Sequence, residues 1–226
     1  MPPFSFPTDD VLQGRTFDAV LFDMDGTLID STPAVDRAWA TWGAEWGVAK
    51  RATDHGRPAR GIIEELVPLD RVDEAIARIL ALEVADTNDI TVLPGAAALL
   101  ASLPDARRAI VTSCARPLAV ARLAASALQA PSTIVTVDDT PRGKPHPEPF
   151  LEGAARLGVD PRRCLVIEDA PAGLQAGRAA GCTTIGVAGT YPAAQLDADL
   201  VVSGLDQVRI TVTAEGLTVQ IVSPNT

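Results

Sequence analysis

The spacing of apolar residues changes period along this chain, and the changes mark its elements. Residues 17–23 (Phe-Asp-Ala-Val-Leu-Phe-Asp) form a short apolar run of strand type, which Gly26 breaks. Pro33 suits the first turn of a helix that runs to about Gly47. Trp39, Trp42 and Trp46 fall on one face of that helix and read as core. Residues 61–86 continue with a helical pattern: Ile62, Ile63 and Leu66, then Val72, Ile76, Ile79 and Leu80, with Pro68 between the two segments. Beyond Leu93-Pro94-Gly95 the pattern alternates. Helices are predicted over 96–103, 117–129, 149–157 and 173–180, and strands over 108–112, 132–137, 164–167 and 183–187. Strands that alternate with helices predict βαβ units, an α/β class and a doubly wound parallel sheet with helices on both faces.

The first strand is cut off from the rest of this pattern by an all-helical block. The simplest account is a helical domain, residues 32–93, inserted into a core made of residues 1–31 and 94–226. Such an insert would sit over the carboxyl end of the sheet, where open α/β folds bind ligands. The tail differs again. Val208, Ile210 and Val212 alternate with polar residues, Glu215-Gly216 is a turn signal, and Leu217, Val219 and Ile221 alternate once more. That predicts a β-hairpin that either extends the sheet edge or covers it.

Composition narrows the functions. With 29 acidic and 19 basic residues the net charge is −10, which disfavours nucleic acid or an anionic membrane as partner. Three cysteines without CxxC spacing predict neither a disulfide framework nor a zinc site. The first ten residues lack a signal peptide's basic and apolar stretches, and no run approaches a membrane span, so a cytoplasmic location is expected. Of the basic residues 17 are arginine and only Lys50 and Lys144 are lysine, so each lysine invites a question about its task.

The chemistry concentrates where strands end. Asp23 and Asp25 stand two apart at the close of the first strand, and Gly26 lets the chain turn at once, so both carboxylates can surround one point. That suits a cation or a phosphoryl group. A calcium loop of EF-hand type fails, because Gly26 is the fourth residue counted from Asp23 and that loop needs glycine at position six.

The string Asp23-Met24-Asp25-Gly26-Thr27-Leu28-Ile29-Asp30-Ser31 resembles the first motif of the haloacid dehalogenase (HAD) superfamily, whose phosphatase branch carries DxDGT after a strand. Ile110-Val111-Thr112-Ser113 resembles its second motif, Gly143-Lys144-Pro145-His146-Pro147-Glu148-Pro149-Phe150 its third, and Ile167-Glu168-Asp169-Ala170-Pro171-Ala172-Gly173 its fourth. The four occur in the family's order, and the likeness spans about residues 17–205. The resemblance implies a Rossmann-like core under a C1-type helical cap, and a phosphatase that works through an aspartyl phosphate. By it, Asp23 is the nucleophile and Asp25 the general acid and base. Mg²⁺ would be held by Asp23, the Asp25 main-chain carbonyl and Asp169, with Glu168 as a ligand or as support behind them. Thr112 and Ser113 would hold phosphoryl oxygens, and Lys144 would balance Asp23 and the phosphate.

Within the block, Asp54-His55-Gly56-Arg57-Pro58-Ala59-Arg60-Gly61 is similar to the specificity loop of sugar-phosphate phosphatases and β-phosphoglucomutase in this superfamily. His55, Arg57 and Arg60 are therefore candidate substrate contacts, although an inter-helix loop in solvent reads much the same. The expected substrate is a small sugar or polyol phosphate, and the expected state a monomer or weak homodimer. A phosphomutase of the β-phosphoglucomutase type is the alternative, and would need the cap to hold a second phosphate. A non-enzymatic sugar-phosphate sensor would not require both acids, and the dehalogenase branch lacks the second. Cys114 follows the second motif, but a cysteine phosphatase needs arginine where this chain has Val120, so Cys114 reads as packing.

Overall fold

The computed structural model of the protein describes residue 12, residues 14–48 and residues 59–222. Six parallel strands form the central sheet: β1 (Ala19–Phe22), β4 (Arg108–Val111), β5 (Ile134–Val135), β6 (Cys164–Glu168), β7 (Thr183–Val187) and β8 (Leu200–Val202). Their order across the sheet is β5-β4-β1-β6-β7-β8. The chain winds from β1 to one edge, returns to the middle, and winds to the other. The winding reverses beside β1, which puts the ligand-binding crevice at its carboxyl end. Phe22 lies level with Ile110 on one neighbour and Ile167 on the other, so the residues following these three strands come together.

β1 is buried on both faces, as a central parallel strand must be. Val20 and Phe22 pack with Ile110, Ile167 and Ile185 on one face, together with Leu99 and Leu100 of α4 (Ala96–Ala101) and Leu118 and Leu123 of α5 (Arg116–Ser126). On the other face Ala19 and Leu21 meet Phe150 and Ala154 of α6 (Glu148–Leu157) and Ala176 of α7 (Pro171–Ala179). The small residues of α7 permit this approach. A Cβ on Gly177 would stand 3.1 Å from Val166.

Between β1 and β4 lie α1 (Thr32–Trp46), α2 (Ala59–Ile63) and α3 (Val72–Ala85). They have a core of their own, built on Ala38, Trp39, Trp42, Ile63, Val72, Ala75 and Ile79. Trp42 is 1% exposed, and its indole nitrogen donates to the carbonyl of Ala75 at 3.0 Å, so the one polar atom of a large apolar group is satisfied. Gly47 ends α1 with φ +66°, the left-handed cap that glycine tolerates best. A two-residue antiparallel ladder, β2 (Ile29–Asp30) with β3 (Thr91–Val92), brackets the helical segment. Among the described residues no helix is long and apolar enough to cross a membrane.

Three expectations change. The strand expected over 132–137 is Ile134–Val135, after which Thr136 and Asp139 close a capping box on a 3₁₀ turn. The edge strand β8 was not foreseen. The tail hairpin forms, as β9 (Val208–Thr213) and β10 (Gly216–Ile221), but as a sheet of its own that does not extend the edge of the central one. Leu217 exchanges both main-chain hydrogen bonds with Phe17, just before the central β1, at 2.9 and 2.7 Å. Val208, Ile210 and Leu217 join the main core, which is why the hairpin packs there.

Candidate active site

The three central strands deliver acids and a hydroxyl to one point. Asp23 follows β1, Thr112 follows β4, and Glu168 ends β6 with Asp169 next. The loop before α6 brings in Lys144, whose peptide bond to Pro145 is cis. The Lys144 ammonium donates to Oδ1 of Asp23 at 2.6 Å, to Oε1 of Glu168 at 2.9 Å and to the carbonyl of Val111 at 2.8 Å. All three of its donors are used, and it lies 5.0 Å above the Phe150 ring centroid. Glu168 spends its other oxygen on the amide of Ala170 at 2.6 Å, at the start of α7. Space for that carboxylate comes from Gly173, where a Cβ would stand 1.6 Å from Oε1. Gly26 makes room in the same way: it has φ +86°, and a Cβ there would meet Oδ2 of Asp169 at 2.0 Å.

Asp23, Glu168 and Asp169 each offer an oxygen, all within 4.8 Å of one another. Three buried carboxylates against one ammonium leave an excess of negative charge in the protein interior. Burial raises Asp23 well above the ordinary carboxylate range, with the Glu168 and Asp169 charges adding and Lys144 opposing. Burial, and then Glu168, push Asp169 up to about 7. Burial would lower the Lys144 ammonium, but Asp23 and Glu168 hold it above its usual value. An all-oxygen, electron-rich cluster of this span suits a hard divalent cation such as Mg²⁺, which bonds oxygen at about 2.0–2.1 Å.

Asp23 and Asp25 open into a cleft of about 450 Å³ between the sheet's carboxyl end and the helical segment. Thr112 and Ser113 line its floor, and Val35, Trp39, Ile62 and Ile76 its upper wall. Thr112 is 3% exposed, and its hydroxyl oxygen accepts the amide of Cys114 at 3.1 Å. Asp25 accepts from the Ser31 hydroxyl at 2.6 Å.

Residues 17–181 match the family model of the haloacid dehalogenase-like hydrolases. The chain belongs to that family. The enzyme class implied by the motifs, a HAD-type phosphoric monoester hydrolase, holds with it. Hexitol phosphatase A of Escherichia coli (strain K12) is 42% identical over 200 residues, covering 84% of this chain and 93% of its own. Glycerol-1-phosphate phosphohydrolase 1 of Saccharomyces cerevisiae is 34% identical over 212 residues, 85% of this chain and 84% of its own. The crystal structure of a hydrolase from Pseudomonas syringae superposes with a TM-score of 0.74 at 26% identity, covering 83% of this chain and 94% of that one.

In this HAD hydrolase the motif residues Asp23, Asp25, Thr112, Ser113, Lys144, Glu168 and Asp169 converge. The expected contacts of the helical segment fare differently. His55 and Arg57 lie outside the described residues. Arg60 lines the cleft, but its guanidinium pairs with Asp73 at 2.8 Å and Glu64 at 3.6 Å. Cys114 is more than packing, because its thiol lies 3.1 Å from Oδ2 of Asp25. Burial, and then the Asp25 charge, push that thiol far up, so it is a neutral donor. Sequence reasoning missed Arg122, which reaches Asp25 from α5, and Glu83 of α3, which pairs with Arg122. The available signal was an arginine on the inward face of an Ala-rich helix, level with Leu118 and Leu123.

Proposed function

We propose that this HAD hydrolase is a Mg²⁺-dependent phosphatase of a small sugar or polyol phosphate that works through an aspartyl phosphate on Asp23. The observation that carries the proposal is the buried cluster of Asp23, Lys144, Glu168 and Asp169, whose Asp23 lines a cleft that Asp25 also lines. Residues 32–93 act as a cap domain over a core of residues 1–31 and 94–226, and close the cleft against water.

Phosphate esters are inert because negative charge repels the nucleophile, so charge must be balanced and the groups aligned. Lys144 balances Asp23 and the incoming phosphate. The Thr112 hydroxyl and the Ser113 amide hold phosphoryl oxygens. Asp23 and Asp169, with the Asp25 main-chain carbonyl, would hold Mg²⁺. Glu168, both of whose oxygens already accept hydrogen bonds, supports Lys144 from behind. The bound cation would supply charge neutralisation between carboxylate and phosphate. An Asp23 carboxylate oxygen attacks phosphorus and the ester P–O bond breaks, while Asp25 gives its proton to the leaving alcohol. Water then attacks the aspartyl phosphate, Asp25 takes a proton back, and inorganic phosphate leaves with Asp23 restored.

The small cleft favours a small ester over a phosphoprotein, and the named activities of the two curated relatives support a polyol or sugar phosphate. The mutase alternative would need a second phosphate held by the cap, and Arg60 is already engaged by Asp73 and Glu64. Three free thiols, Cys114, Cys164 and Cys182, support a reducing, cytoplasmic setting. The test is phosphate release from a panel of sugar and polyol phosphates, with Mg²⁺ and then with EDTA, for wild type and Asp23→Asn. Release that needs the metal and vanishes in the variant is expected. Isomerised sugar phosphate without phosphate release would select the mutase.

A further inference from the structure

Arg122 has no part in the steps above, yet it carries a charge at 4% exposure. It stands on α5, in the core. Its Nη1 lies 2.9 Å from Oδ1 of Asp25 and 3.1 Å from Sγ of Cys114, and its Nη2 donates to Oε1 of Glu83 at 3.2 Å. Glu83 belongs to α3 of the cap. One guanidinium thus joins Asp25 to a cap helix. Burial opposes its charge, but Asp25 and Glu83 outweigh that and raise it further above its already high ordinary value. The fork is planar and rigid, so the two carboxylates it holds are fixed relative to each other.

The oxygens of Asp25 are not equivalent. Oδ1 accepts from the Ser31 hydroxyl at 2.6 Å and is ion-paired with the Arg122 guanidinium at 2.9 Å. Among the described residues Oδ2 has only the Cys114 thiol, a weak donor. We infer that Arg122 is a positioning residue, which clamps Oδ1 so that Oδ2 faces the leaving alcohol and then water, and which through Glu83 makes that alignment depend on a seated cap. The inference rests on Asp25 being the acid and base of the reaction.

Leaving-group dependence tests it. A hexitol phosphate (sorbitol phosphate) needs a proton on its departing alkoxide, whereas p-nitrophenyl phosphate departs without one. For each enzyme, kcat/KM is measured on both esters and expressed as their ratio, which is independent of the fraction of protein that is active. Positioned acid catalysis contributes about a hundredfold to ten-thousandfold, so losing the alignment in Arg122→Met should lower the alkyl-to-aryl ratio by about tenfold or more. Glu83→Gln keeps a hydrogen-bonding side chain of the same size, and should lower the ratio by about threefold or more. Asp25→Asn is the control. If its ratio falls and those of Arg122→Met and Glu83→Gln stay at the wild-type value, Arg122 does not position Asp25. If the Asp25→Asn ratio does not fall, the acid–base role itself is wrong and the inference falls with it.

Discussion

Replacing Lys144 by methionine removes the one ammonium among the buried carboxylates while nearly preserving length and volume. Three hydrogen bonds of 2.6–2.9 Å are lost, and Asp23 and Glu168 keep no countercharge at 6% and 1% exposure. Breaking a buried pair from one side costs about 3–5 kcal/mol. Methionine over the Phe150 ring returns about 0.3–1.5 kcal/mol, which leaves a net loss of about 1.5–4.7 kcal/mol. For a chain of this size each kcal/mol moves Tm by about 2–4 °C, so the melting temperature in EDTA should fall by roughly 3–19 °C. The same carboxylates then face a cation without competition, so added Mg²⁺ should raise Tm more in the variant than in wild type. Turnover should drop by about a hundredfold or more, because the phosphate loses its fixed positive neighbour. Thermal melts with and without Mg²⁺, alongside phosphate release, read all three. A variant that melts within about 2 °C of wild type in EDTA and still turns over would refute Lys144 as the buried countercharge.

Gly26→Ala should raise the Mg²⁺ concentration for half-maximal rate by about tenfold or more, because the new Cβ would collide with Asp169 Oδ2 at a left-handed φ; an unchanged Mg²⁺ titration would count against Asp169 as a ligand. In EDTA the raised carboxyls of Asp23 and Asp169 bind protons that the unfolded chain has released, between about pH 4 and about pH 7. Stability must then fall as pH rises through that window. Asp86, held at about 2 by Arg37, is ionised throughout it and does not oppose the trend. Melts in EDTA should give a lower Tm at pH 7 than at pH 5, with Mg²⁺ reducing the difference; a higher Tm at pH 7 would contradict the buried-carboxylate account.

The alternation of strands and helices was legible because buried parallel strands such as Val20–Phe22 and Leu165–Ile167 are continuous apolar runs set between helical periods. The acids, Thr112 and Lys144 were legible because each sits at a strand end or loop within a short motif. The edge strand Leu200–Val202 was not, since three residues after a 3₁₀ turn carry too little periodicity. The β2–β3 ladder was invisible for a related reason. Two residues pair with two others across the whole helical segment, and only the tertiary fold selects them. Arg122 and Glu83 were missed because their partners lie far off in sequence, and a charge in a helix reads as solvated until its face is known.

The most direct measurement is to trap the phosphoryl group on the protein. A hexitol phosphate and Mg²⁺ are mixed with excess enzyme, quenched within the first turnover and reduced with borohydride, which converts an acyl phosphate to the alcohol. Mass spectrometry then locates the altered residue. The account predicts homoserine at position 23, none in Asp23→Asn, and a yield that decays as phosphate appears. Phosphate released by the wild-type enzyme with no altered residue at any time, or with the alteration elsewhere, would contradict Asp23 as the nucleophile.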